Sequence, residues 1–122
     1  MRTIKFRAWD KDKKFMVDDG FTLTYDGICQ GLGGVVKNYK LLQFTGLKDK
    51  RGREIYEGDI VNLYDSHPAE GILYFTGVMT FVEDDLWWIV KNGTAWRRPV
   101  RKLKVIGSIY ENPELLKGGE NE

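Results

Sequence analysis

Cysteine and histidine are almost missing from this chain, which has one of each, Cys29 and His67, in 122 residues. A single cysteine cannot close an internal disulfide, and that fits a reducing compartment. Zinc would find too few ligands. Nucleophilic catalysis needs a nucleophile, a base and usually an orienting group. Cys29, in a glycine-rich stretch, and His67, beside Pro68 in an expected surface loop, are two lone residues and form no motif. No catalytic residue is therefore assigned, and the expectation is a protein that is not an enzyme. An excess of one charge is lacking as well, because 19 basic residues face 18 acidic ones for a net charge of +1. Bulk attraction to nucleic acid or to a membrane surface is not indicated. Long hydrophobic runs are absent. The longest, Leu86-Trp-Trp-Ile-Val90, falls far below the ~20 residues needed to cross a bilayer. The charged opening Met1-Arg-Thr-Ile-Lys-Phe-Arg7 contains no secretory apolar core. A cytoplasmic protein with no membrane partner is expected.

Two further absences concern ligands. Asp10-Lys-Asp-Lys13 opens like a calcium loop, yet Phe15 and Phe21 stand where such a loop needs its Gly and its closing Glu. Gly31-Leu-Gly-Gly34 has neither the strand-loop-helix context nor the Gly-Lys-Ser of a phosphate loop. No metal and no cofactor are expected, and the glycine run reads as a connector.

What the chain does have is aromatic residues (13%, four of them Trp) and 14 Gly against 3 Pro. That mixture favours strands with tight connections over a helical bundle. Ile4, Phe6 and Ala8 alternate with Lys5 and Arg7, which puts the basic side chains on the polar face of a first strand. The polar cluster at residues 10–14 then turns the chain into Phe15-Met-Val17. Phe21-Thr-Leu-Thr-Tyr25 alternates again, residues 27–40 read as loop, and Tyr39-Lys-Leu-Leu-Gln-Phe-Thr45 as strand. Gly46, Gly52 and Gly58 are assigned to turns, with Asp59 bracing the last of them. Ile60, Asn62 and Tyr64 should share one face of the next strand, and Val61 and Leu63 the other. In the segment 71–82, Leu73, Phe75, Met79 and Phe81 are expected to face the core, with Gly77 marking a bulge, bend or break. Glu83-Asp-Asp85 forms a turn, and Asn92-Gly93 between two apolar runs predicts a hairpin. A short closing helix is expected, with Asn112 as cap, Pro113 at its first position, and Leu115 and Leu116 docked.

Short strands at this spacing predict a mostly β protein: a small, SH3-like, partly open barrel over residues 54–116, an N-terminal β-rich subdomain over residues 1–45, and a short C-terminal helix. Residues 117–122 have nothing to bury and should fray.

Three segments carry a family resemblance. They are Lys5-Phe-Arg-Ala-Trp-Asp10, Leu42-Gln-Phe-Thr-Gly-Leu-Lys-Asp-Lys-Arg-Gly-Arg-Glu-Ile-Tyr-Glu-Gly-Asp-Ile-Val61 and Val105-Ile-Gly-Ser-Ile-Tyr-Glu-Asn-Pro-Glu-Leu-Leu116. Together they resemble the YopX family of small phage and prophage proteins. The resemblance implies a mostly β single domain, expressed in the cytoplasm of an infected or lysogenic bacterium and prone to self-association. It implies no biochemical activity. Arg51, Arg53 and Ser108 depart from the family pattern by surface-type exchanges.

Two surfaces are candidates for function. Trp96-Arg-Arg-Pro-Val-Arg-Lys-Leu-Lys104 packs five basic residues and no acidic one behind an aromatic, a pattern that suits single-stranded nucleic acid. Its candidate contacts are Trp96, Arg97, Arg98, Arg101, Lys102 and Lys104. The same charges would also protect a sheet edge from unwanted pairing. The run 86–90 is apolar on both strand faces, so one face needs a second layer or a partner. Trp87 and Trp88 are the candidates for self-association. The expectation is an oligomeric, non-enzymatic binding or scaffold protein, with a host or phage protein as a further partner. A nucleic-acid-binding accessory factor is the alternative.

Overall fold

The computed structural model describes residues 5–18, 21–29, 34–64, 73–83, 86–99 and 102–116. Among these described residues, twelve strands form three antiparallel sheets. The first sheet has the order β2 (Phe15–Val17), β1 (Phe6–Asp10), β6 (Tyr39–Lys48), β7 (Glu54–Tyr56). The second runs β11 (Ala95–Arg97), β10 (Trp87–Asn92), β9 (Leu73–Val82), β8 (Asp59–Tyr64), β12 (Leu103–Ser108), and it curls into a half-barrel. The third is small: β3 (Thr22–Thr24), β4 (Gly27–Cys29), β5 (Val35–Val36). The mostly β, partly open barrel expected from the strand spacing is thus present, with one helical turn at residues 114–116.

The half-barrel closes over Ile55, Val61, Leu63, Met79, Val90, Leu103 and Val105, with Leu47, Phe75 and Trp88 packed against them. Each such aliphatic side chain removed from water contributes roughly 1.5–3 kcal/mol. A second core lies between the first and third sheets, where Ala8, Val17 and Ile28 meet Phe21, Val36, Tyr39 and Leu41. Strand β7 belongs to the first sheet by its pairing with β6, while its Ile55 sits in the half-barrel core.

Several local readings are corrected. Residues 27–40 are not all loop, because β4 and β5 pair there. The β4–β5 ladder is only two residue pairs long, Ile28 with Val36 and Cys29 with Val35, and the glycines hide its alternation. Cys29 accordingly lies on β4 and is half-buried. Gly46 (φ +88°) sits within β6, at the irregular pairing with β7, rather than in a turn. Gly77 breaks nothing. Strand β9 runs through it, and an added Cβ would lie 2.8 Å from the Lys91 carbonyl oxygen, so glycine here lets β10 approach. The bulge falls instead at Leu63 and Tyr64. Leu73 is 49% exposed, near the start of β9, whereas Met79 is buried as expected. The β10–β11 hairpin pairs Asn92 with Ala95, so its two-residue loop is Gly93-Thr94, with positive φ at Gly93 only. His67, Arg101, Ile4, most of the glycine run (31–33) and the tail at 117–122 lie outside the described residues.

The two large sheets meet at the turn between β7 and β8. Glu57 donates its amide to the Gln43 carbonyl of the first sheet, and Gly58 donates to Met79 of the second. Gly58 adopts φ +86°, and its missing side chain leaves room for the Tyr110 ring, which would stand 2.8 Å from a Cβ. Tyr110 in turn packs on Trp9 with ring centroids 5.7 Å apart. Strand β1 is therefore covered on both faces: Ala8 by the small third sheet, and Trp9 by the C-terminal segment.

Candidate functional site

A sheet has two edges, and an unpaired edge is a template for another chain. In the half-barrel the β12 edge is covered. The turn after β6 docks on it, with Lys50 N–H donating to the Leu103 carbonyl (2.9 Å) and Arg51 Nη2 to the Val105 carbonyl (2.8 Å). Asp49 organises this turn. Its buried carboxylate accepts the amides of Arg51 and Arg53 (both 2.9 Å) and of Val105 (3.1 Å). Burial pushes the Asp49 carboxyl up, but the amides of Val105, Arg53 and Arg51 outweigh it and hold the group below its ordinary value.

The other edge, β11, carries no such cover among the described residues, and all three of its residues are exposed. Trp96 is 47% exposed and meets Trp87 edge-on, with centroids 6.0 Å apart. The Arg98 guanidinium lies 4.0 Å over the Trp87 ring, and that of Arg97 lies 4.8 Å over Phe75. Arg97 also folds back to donate to the Trp96 carbonyl at 2.8 Å. Leu86, at positive φ before β10, is 76% exposed beside them. The adjacent tryptophans divide as strand alternation requires. Trp88 packs on the half-barrel core and edge-on to Phe81 (5.0 Å), while Trp87 joins the Trp96 cluster. Both remain half-buried, so neither indole is wholly inside.

The basic segment is not gathered into one row. Arg97 and Arg98 stand at the β11 edge with Trp96. Lys102 and Lys104 belong to the β12 end of the strand order and are half-buried, and Arg101 is outside the described residues. The guanidinium groups of Arg97 and Arg98 are already occupied with aromatic faces, a contact of about 0.5–1 kcal/mol at exposed sites.

Alternation along β1 hid a second constellation. Arg7, assigned above to a polar face, is buried and forms an ion pair with Asp59, whose side chain is 1% exposed. The second Asp59 oxygen accepts the Tyr56 amide at 2.8 Å, and the guanidinium lies 4.6 Å from the Tyr56 ring centre. Burial drives the Asp59 carboxyl above its ordinary value, a push that Arg7 and the Tyr56 amide oppose but do not cancel. Tyr56 is itself pushed up, by burial first and by Glu54 second. The signal was present: Trp9 is out of phase with Phe6 and Ala8, so β1 has apolar residues on both faces and no solvent side.

A strand-built molecule of three sheets, with a half-barrel and a buried ion pair joining its two large sheets, is the class this geometry defines. The chain belongs to the YopX family: it matches the family described as "YopX protein" over residues 5–117. No curated protein matches it. Among solved structures it is similar to the crystal structure of protein EF1440 from Enterococcus faecalis. That likeness has a TM-score of 0.61 and 24% sequence identity, and it covers 95% of this chain and 99% of that one. It supports the fold.

Proposed function

We propose that the protein is a non-enzymatic binding or scaffold module of phage or prophage origin that works in the bacterial cytoplasm as an oligomer of itself. The observation that carries the reading is the asymmetry of the half-barrel: its β12 edge is covered, while its β11 edge leaves Trp96 exposed against a half-buried Trp87, with Leu86 exposed just before β10. The partner at this edge is a second copy. Arg97 and Arg98 flank it, and the chain beyond Tyr110 supplies four Glu against one Lys. A basic edge meeting an acidic end of the next copy makes a head-to-tail contact, which closes into a ring when the rotation allows. Family membership supports the phage or prophage origin through the resemblance given above.

A second reading, a nucleic-acid-binding accessory factor, is favoured by one feature: an exposed indole beside two guanidinium groups. One experiment separates the two. Sedimentation velocity of the whole chain at micromolar concentration, with and without a single-stranded oligonucleotide, should show an oligomer that Trp96→Glu dissociates without changing its circular dichroism. A monomer at every concentration would refute self-association. Binding of the oligonucleotide that weakens steeply with salt would favour the second reading.

A further inference from the structure

A cleft of about 370 Å³ opens beside β1 and β7, and Lys5, Arg7, Asp18, Arg53, Glu54 and Tyr56 line it. Its most buried cation is Arg7, with a side chain only 7% exposed. A guanidinium carries five N–H donors in a fixed fork. Here one terminal nitrogen is taken by Asp59, and the fork is not closed, because the other Asp59 oxygen belongs to the Tyr56 amide. Nη1 stands 4.0 Å from Asp18, beyond hydrogen-bonding distance, and Asp18 is 77% exposed. Nε is buried, and no acceptor reaches it among the described residues. Such spare donors on a buried cation are costly unless another acceptor completes them. Of the remaining lining cations, Lys5 is tied to Glu54, while Arg53 is exposed at the rim.

We infer that this cleft is a binding site for a compact oxyanion, a carboxylate or phosphate group. The anion displaces the loosely held Asp18 carboxylate from Arg7 and is met from the rim by Arg53. The rest of the ligand lies along the Tyr56 and Phe6 rings, which also line the space. Arg suits the role because its planar fork matches either oxyanion and it stays charged at any working pH.

The test titrates the whole isotopically labelled chain with inorganic phosphate and, separately, with benzoate. The readout is the arginine Nε–H and backbone amide resonances. Saturable shifts at Arg7 Nε–H and at the amides of residues 53–56 with either probe support the site, and the responding probe tells a phosphoryl from a carboxylate ligand. Asp18→Asn should tighten binding by about two- to fivefold, and Arg53→Gln should weaken it by a similar factor, the size expected of exposed charges. Both side chains are exposed, so neither variant threatens the fold. No saturable shift at Arg7 with either probe, or affinities that neither substitution moves, overturns the site. The outcome is independent of the β11 edge, since a monomer that binds the probe still supports it.

Discussion

Arg7→Met removes the cation from the junction of the two large sheets and leaves the Asp59 carboxylate buried opposite an apolar side chain. Methionine is long enough to keep packing on the Tyr56 ring, so the lost quantity is charge rather than volume. Breaking a buried pair from one side costs about 3–5 kcal/mol. A chain of this length has a total stability of roughly 6–18 kcal/mol, so the variant should remain foldable but lose a large share of it. The loss should also depend on pH in a definite direction. Asp59 already titrates above its ordinary value of 3.8 because burial outweighs Arg7; without Arg7 it titrates higher still. A carboxyl raised in the folded state contributes stability below its unfolded value and loses it as pH rises through the folded one. The variant should therefore be nearest the wild type in mild acid. It should fall behind by up to about 1.4 kcal/mol per pH unit while that one proton is released. Adding Asp59→Asn should recover most of the deficit at neutral pH, because the double variant buries no charge and Asn can still accept the Tyr56 amide. Urea unfolding followed by tryptophan fluorescence at several pH values between 4.5 and 7.5 measures all three proteins. A single variant within about 1 kcal/mol of wild type at neutral pH would refute the reasoning. So would a deficit of the same size at both ends of the pH range.

Two further perturbations probe the turns. Asp49→Ala should cost about 2–4 kcal/mol, because the Val105 amide is left buried without its acceptor and the turn over β12 loosens. Asp49 is held below its ordinary value of 3.8, so its contribution is complete above that pH and is lost as pH falls through the depressed folded value. Asp49→Asn should accordingly flatten the acid limb of the urea-stability profile below pH 3.8, and an unchanged limb would contradict the assignment. Gly58→Ala and Gly46→Ala make a matched pair at φ +86° and φ +88°. Both incur the left-handed cost of about 1–2 kcal/mol. Only at Gly58 does the new Cβ strike the Tyr110 ring, whereas Gly46 faces open space. Thermal melts should show the larger loss at position 58, and equal losses would dismiss the ring contact.

The sequence alone determined the β class, most strand positions and the turns at Gly52 and Gly58, because alternation and turn chemistry are local properties. Met79 was legible as core for the same reason, and it is 1% exposed. The sequence also marked Trp96, Arg97 and Arg98 as chemically unusual. Only the tertiary structure decided which edge of the half-barrel is covered, since that depends on Asp49 and Arg51 reaching Val105 across more than fifty residues of chain. It likewise decided that Arg7 lies inside. A strand with one solvent face displays its basic residues outward, but β1 is packed on both sides, so Arg7 must find a partner within the molecule. That partner is Asp59, fifty-two residues away. No local pattern can announce a pairing of that range, because it is fixed by how two sheets stack and not by either strand's own periodicity.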